Sequence, residues 1–155
     1  MHDGVKLHDE DDSTRVDPPR SILESALTAL SSGRIPEAVA LFDKRFKFND
    51  RALALEFTDK TRLTRFFQKA RELFPDGRLE VSLFESGDYA FAEWRVTATE
   101  SVPTAWVTRH IPINFHGATV VRVEHGKIIR WSDYYDRASS HRTALASFST
   151  EWIEY

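Results

Sequence analysis

The sequence predicts an α+β fold in which three N-terminal helices lie inside a strongly curved antiparallel or mixed sheet, forming a cone-shaped barrel. Apolar residues recur at helical spacing in the first half of the chain and alternate with polar residues in the second half. Glycine-containing turns separate the alternating segments, as they do in consecutive hairpins. Helices followed by a run of strands favour packing of the helices on one face of a sheet.

Helical spacing and end signals locate the elements of the first half. Gly33 is suited to end the first helix and Pro36 to begin the second, since glycine follows helices and proline fits their first turn. Thr58 or Asp59 can cap the third helix. The predicted elements are helices within residues 17–34, 35–42 and 58–77 and a short strand at residues 46–50.

The second half is predicted to form four strands. Gly126 can supply the positive φ of a tight hairpin before the last strand. Pro112 and Gly117 are places where the long third strand can bend. The predicted strands are residues 78–85, 89–99, 105–124 and 128–136, with a closing helix at residues 139–152.

Length and charge limit the classes of protein that this chain can represent. Its 155 residues fit one domain, which we place at residues 18–155. Residues 1–17 hold six acidic and two basic residues and are expected to be an acidic, disordered leader. The nearly neutral remainder lacks the basic face of a nucleic-acid-binding protein, and no apolar run approaches the ~20 residues of a membrane span. The chain has no cysteine, so we expect a cytoplasmic protein without disulfides or thiolate metal sites.

The last predicted strand starts apolar and ends in two acids and two phenols, at positions 133–136. A carboxylate in an apolar cavity must pair, accept hydrogen bonds or take up a proton. We expect Asp136 to lie in such a cavity with Arg95 as its partner, while Tyr134 donates a hydrogen bond to an oxyanion. Asp133 points to the opposite face of the strand from Asp136, which favours a surface or interface position. A purely structural Arg–Asp pair stays open as an alternative.

The order of the elements, together with the ending "GKIIRWSDYYD", resembles the nuclear transport factor 2-like superfamily. Within it the pattern is most similar to SnoaL-like polyketide cyclases and limonene epoxide hydrolase, over about residues 20–150. The most specific part runs from the Gly126-Lys127 turn to the acids, where the hydrolase has Trp-Arg-Asp-Tyr-Phe-Asp. The resemblance implies that Asp136 matches a catalytic aspartate.

The two branches imply different chemistry. The epoxide hydrolase has an Arg-x-Asp on a middle strand, whereas this chain has Arg95 followed by Thr97, and threonine is not an acid of comparable strength. The hydrolase's water-orienting tyrosine and asparagine fall in the segment that here holds Phe48 and Asn49. The SnoaL-like cyclases imply only one aspartate, acting as acid and base on a bulky carbonyl substrate in an apolar pocket.

These observations predict a SnoaL-like enzyme that performs acid/base chemistry without a cofactor on a small apolar molecule, by cyclisation, isomerisation or hydration with epoxide opening. The alternative is a non-catalytic ligand-binding or assembly module of the same fold. The predicted catalytic residues are Asp136 and Arg95, and the predicted pocket residues are Thr97, Tyr134, His116, Asn49, Phe48 and Trp131.

Two further expectations concern metals and partners. His110 and His116 share strand parity but lie ~20 Å apart along an extended strand, so no metal site is expected. His116 is either a secondary acid or base in the pocket or a structural histidine. A convex sheet face carrying Trp94, Val96 and Ala98 would need covering by a second subunit, which predicts a homodimer.

Overall fold

A computed structural model describes residues 16–136. The predicted order of helices and strands is confirmed, although β1 starts earlier than expected and β2 was not predicted. Most of the predicted leader and all of the predicted closing helix lie outside the described residues. The elements are α1 (Pro19–Ser31), α2 (Ile35–Ala40), β1 (Phe42–Asp50), β2 (Leu55–Phe57), α3 (Lys60–Leu73), β3 (Arg78–Ser86), β4 (Tyr89–Pro103), β5 (Thr108–Glu124) and β6 (Lys127–Tyr135).

The strands form one mixed, curved sheet in the order β2-β1-β6-β5-β4-β3. All neighbouring strands are antiparallel except β1 and β6, which are parallel. Among the described strands, β2 and β3 each have one neighbour, so this sheet is an open cone rather than a closed barrel. In the part of the chain that the structure describes, no helix is both long and apolar enough to cross a membrane.

Local sequence explains how the ends of two elements form. The Asp59 carboxylate accepts a hydrogen bond from the backbone N–H of Arg62 at 2.9 Å, which caps α3 at the predicted position. His125 and Gly126 both have positive φ, at 50° and 73°, and form the two-residue hairpin between β5 and β6. This tight turn starts the pairing of β6 with β5, and an irregularity between Arg122 and Val123 then shifts the register, so the turn and the shift together decide which side chains of β6 face the helices.

The sheet has two chemically distinct faces. Trp94 pairs with Gly117, and both lie on the concave face that α1 and α3 cover. The expectation that Trp94, Val96 and Ala98 lie on the convex face is therefore wrong, because β4 is turned the other way. A homodimer through the outer face stays a prediction, and the large apolar side chains exposed on that face are instead Phe84 and Tyr134.

Candidate active site

A cavity of about 250 Å³ lies between the helices α1 and α3 and the concave face of the sheet. Most of its wall is apolar, and the polar side chains on the sheet side are Asp133 and Thr119. Arg71 and Arg78 also border the cavity, at the end of α3 and the start of β3. The apolar wall includes Leu27, Leu30, Phe67, Ala70, Phe74 and Val96, together with the indoles of Trp94 and Trp131.

A chain of hydrogen bonds holds Asp133 in this cavity. The indole N–H of Trp94 donates to Thr119 Oγ1 at 3.0 Å, and Thr119 Oγ1 donates to Asp133 Oδ1 at 2.5 Å. A hydroxyl has one proton to donate, and the Trp94 N–H already occupies a lone pair of this oxygen. The Thr119 proton is therefore directed to the carboxyl, which fixes the orientation of Asp133.

Burial raises the pKa of the Asp133 carboxyl to about 7. The hydrogen bond from Thr119 and the nearby indole N–H of Trp131 oppose this shift, while the negative charge of Asp50 adds to it. The residue is half-buried and borders the cavity. At neutral pH both protonation states are well populated, as a group that takes and returns protons requires.

Trp131 lies two residues before Asp133 on the same face of β6 and also borders the cavity. Its indole N–H is close enough to lower the pKa of Asp133, but it is buried and makes no hydrogen bond of normal geometry with any residue from 16 to 136. A buried donor without an acceptor is unfavourable and uncommon. An oxygen atom of a ligand in the cavity could accept this hydrogen bond.

Asp50 is the neighbour of Asp133 on the adjacent parallel strand. Its carboxylate is buried, and it accepts hydrogen bonds from the backbone N–H of Leu53 and from the Tyr135 hydroxyl, both at 2.8 Å. These donors hold the carboxylate in place beside the cavity. Asp50 thus supplies a fixed negative charge that favours the protonated form of Asp133.

The structure places Asp136 and Arg95 on the other face of the sheet. Asp136 is exposed, beside a shallow surface depression that Tyr134 and His116 also border. The Arg95 guanidinium donates to Glu80 on the edge strand at 2.8 Å. The expectation that Asp136 and Arg95 face each other in a water-poor pocket is therefore wrong, and a catalytic role for either stays a prediction.

The other predicted pocket residues are also divided between the faces. Thr97 lies on the outer face with Arg95, by its position in β4. Phe48 is fully buried among aromatic rings of the core, and Asn49 is buried with its side-chain nitrogen unpartnered in residues 16–136. Trp131 lines the cavity.

The alternation of side chains along β6 could have identified Asp133 as a cavity residue. A strand places residues i and i+2 on one face, so a pocket that includes Trp131 must include Asp133 and not Asp136. Thr119 and Asp50 carry no comparable signal, because only the pairing of β6 with β5 and β1 brings them to Asp133. Among the described residues, no group of three or more His, Asp or Glu could hold a metal ion.

The raised pKa of Asp133 predicts that the free energy of unfolding falls as the pH rises from about 4 to about 7. In this range the folded protein keeps a proton that the unfolded chain, with an aspartate pKa of 3.8, has lost. Asp133→Asn should remove this dependence of stability on pH. At about pH 8 the substitution should stabilise the protein by roughly 1–3 kcal/mol, after allowance for water in the cavity, whereas near pH 4 it should change stability little. Urea denaturation at both pH values measures the difference. An equal gain in stability at both pH values would contradict the assignment of the raised pKa to Asp133.

A model of the SnoaL-like domain family matches residues 23–131 of this sequence. Among proteins of curated function, none matches it in sequence. The family match confirms the resemblance to SnoaL-like proteins, whereas the relation to limonene epoxide hydrolase stays a prediction.

Solved structures share the fold. A proposed polyketide cyclase from Pseudomonas putida KT2440 superposes with a TM-score of 0.68 at 18% identity, over 79% of this chain and 95% of that one. A proposed SnoaL-like polyketide cyclase from Shewanella putrefaciens CN-32 gives 0.68 at 10% identity, over 88% and 90%. A proposed ketosteroid isomerase from Kribbella flavida DSM 17836 gives 0.60 at 18% identity, over 76% of each chain. At such identities the likeness shows the fold alone.

Proposed function

This chain belongs to the SnoaL-like domain family, and we propose that it catalyses proton transfer on a mainly apolar carbonyl compound, without a cofactor, using Asp133 as the acid/base. The observation that carries the proposal is the Asp133 carboxyl in an apolar cavity, with a pKa of about 7. The chemistry suits such a group, because a base is most effective when its pKa lies near the working pH.

In the proposed reaction, ionised Asp133 removes a proton from the carbon next to the carbonyl group, leaving an enolate. The protonated acid then returns the proton to another carbon, which isomerises the substrate. Alternatively, the enolate carbon attacks a second carbonyl carbon, and the oxygen of that carbonyl takes the proton from Asp133, which closes a ring and regenerates the carboxylate. Thr119 keeps the carboxyl oriented during both steps. The Trp131 N–H is a suitable donor to the enolate oxygen.

Two observations support a catalytic reading over a structural one. The cavity is open rather than filled by side chains, as a binding site requires. The proteins of similar fold include proposed polyketide cyclases and a proposed ketosteroid isomerase, whose named substrate classes contain ketone groups. A non-catalytic binding module would also have an open cavity, but it would not require the carboxyl of Asp133 to titrate near neutral pH.

The test is deuterium incorporation into 2-tetralone, a bicyclic ketone with acidic α-protons, followed by NMR in heavy water. We expect the protein to accelerate exchange above the buffer rate, with a rate that rises with pH through a midpoint of about 7. The heat-denatured protein is the control. Exchange at the buffer rate across the whole pH range would contradict the proposal.

A further inference from the structure

The Trp94 indole forms the wall of the cavity next to Asp133. It borders the cavity, and its N–H donates to the Thr119 oxygen whose own proton goes to Asp133. We propose that this indole limits the size of the substrate to compact ketones of about two fused rings. The inference rests on the proposed function for the choice of a ketone, whereas the size limit concerns binding alone.

The volume of the cavity supports this limit. It is about 250 Å³, which is below the ~300–1,000 Å³ of pockets that enclose drug-sized ligands. At the packing density of an organic crystal, a two-ring ketone takes up about 200 Å³ and a four-ring steroid ketone about 400 Å³. The smaller compound fits within the walls, whereas the larger one must displace a side chain or leave part of itself in water.

The indole separates the cavity from two further aromatic rings. Phe115 packs edge-on against it with 5.8 Å between the ring centroids, and the ring of Tyr135 lies 5.9 Å from it. Phe115 and Tyr135 do not border the cavity, although the indole does. Replacing Trp94 with alanine would therefore extend the cavity toward these rings, by roughly 140 Å³ of removed side-chain volume. The enlarged cavity would approach the volume that a four-ring ketone needs.

Contacts on several sides hold the indole in place. Its N–H is bonded to Thr119 at 3.0 Å, and Phe115 supports the ring from the side. Gly117 lies so close beneath the ring that an added Cβ would be 2.5 Å from Cη2. A ring that is fixed in this way excludes a larger ligand by steric overlap, because rearranging a tightly packed interior is unfavourable.

Other apolar parts of the wall can yield more readily. Leu30, in the last turn of α1, and Phe74, which follows α3, border the cavity but are only half-buried. Their side chains can move toward solvent when a ligand enters. The Trp94 indole is buried and is the fixed part of the wall beside the acid, so its size decides what fits there.

The test compares the binding of 2-tetralone, which has two rings, with that of testosterone, a four-ring ketone. Both are neutral, so the charge of Asp133 neither attracts nor repels them. Binding is measured by NMR titration of the indole N–H signal of Trp131, which borders the cavity. Testosterone has more apolar surface and would bind more than about tenfold more tightly if the cavity enclosed both compounds fully. We expect it to bind the wild type no more tightly than 2-tetralone.

Trp94→Ala should bind testosterone about tenfold more tightly than the wild type does, without a gain in affinity for 2-tetralone. Trp94→Leu removes less volume and disturbs folding less, so it should show a smaller gain of the same sign, and it replaces Trp94→Ala if that variant does not fold. The matched control is Trp106→Ala, which removes the same side chain from a position that is 93% exposed and does not border the cavity. It should leave both affinities unchanged.

The proposal is overturned if 2-tetralone does not bind the wild type at millimolar concentration, or if testosterone binds it at least tenfold more tightly than 2-tetralone. It is also overturned if the folded Trp94 variants gain no affinity for testosterone, or if Trp106→Ala gains as much as they do.

Asp133→Asn separates this inference from the proposed function, because it should keep the size preference of the wild type. If the preference depends on Trp94 while the wild type fails to exchange 2-tetralone, the size limit stands and the proton-transfer proposal fails. If exchange occurs but the Trp94 variants do not change the preference, the size limit fails and the proton-transfer proposal stands.

Discussion

Asp133→Asn is expected to slow the exchange of 2-tetralone protons by about 10²–10⁴-fold at about pH 8. Asparagine has nearly the same shape as aspartate, but it cannot accept a proton from carbon. The hydroxyl of Thr119 can still donate to the amide oxygen, so the side chain should keep its orientation. NMR in heavy water measures the rate, and thermal denaturation checks that the variant is folded.

Asp136→Asn distinguishes the two acids of the strand. Asp136 is exposed on the outer face, so its replacement should leave exchange within about twofold of the wild type. If Asp136→Asn is inactive and Asp133→Asn is active, the cavity is not the reaction site and the acid expected from the sequence resemblance is the catalytic one.

Gly117→Ala is expected to destabilise the fold by about 1–3 kcal/mol. An added Cβ would collide with the Trp94 ring, at 2.5 Å from Cη2, and would lie 2.7 Å from the backbone oxygen of Tyr134. The indole cannot move away easily, because its N–H is bonded to Thr119 and its ring packs edge-on against Phe115. Urea denaturation with a two-state fit measures the loss.

The matched control for this prediction is Gly87→Ala. Gly87 has a φ of 60° but no atom within 4 Å of the added Cβ, so only the backbone term of about 1 kcal/mol applies. Trp94→Phe in the Gly117→Ala background should restore part of the stability by making room. A Gly117→Ala protein as stable as the wild type would show that the contact between the indole and Gly117 is not tight.

The architecture was predictable because its signals are local. Helical spacing located the three helices, Asp59 marked the start of α3, and Gly126 marked the last hairpin. Which face of β4 the helices cover was not predictable from the sequence. Both sides of this strand carry large side chains, with Trp94 on one and Arg95 on the other. Alternation alone therefore could not decide which side the helices cover.

The surroundings of the acid depend on contacts between distant parts of the chain. Asp50 reaches Asp133 through the parallel pairing of β1 with β6, and Thr119 reaches it across β5. No spacing within the sequence predicts either contact. The resemblance directed attention to Asp136, whereas burial and hydrogen bonding favour Asp133, three residues earlier.

The alternation of side chains along β4, β5 and β6 has an evolutionary consequence. Neighbouring positions such as Trp94 and Arg95 belong to different surfaces, so selection on one need not constrain the other. A lineage can then change the outer surface by replacing every second residue, while the intervening residues preserve the shape and chemistry of the cavity. Divergent relatives would differ most at the outward positions.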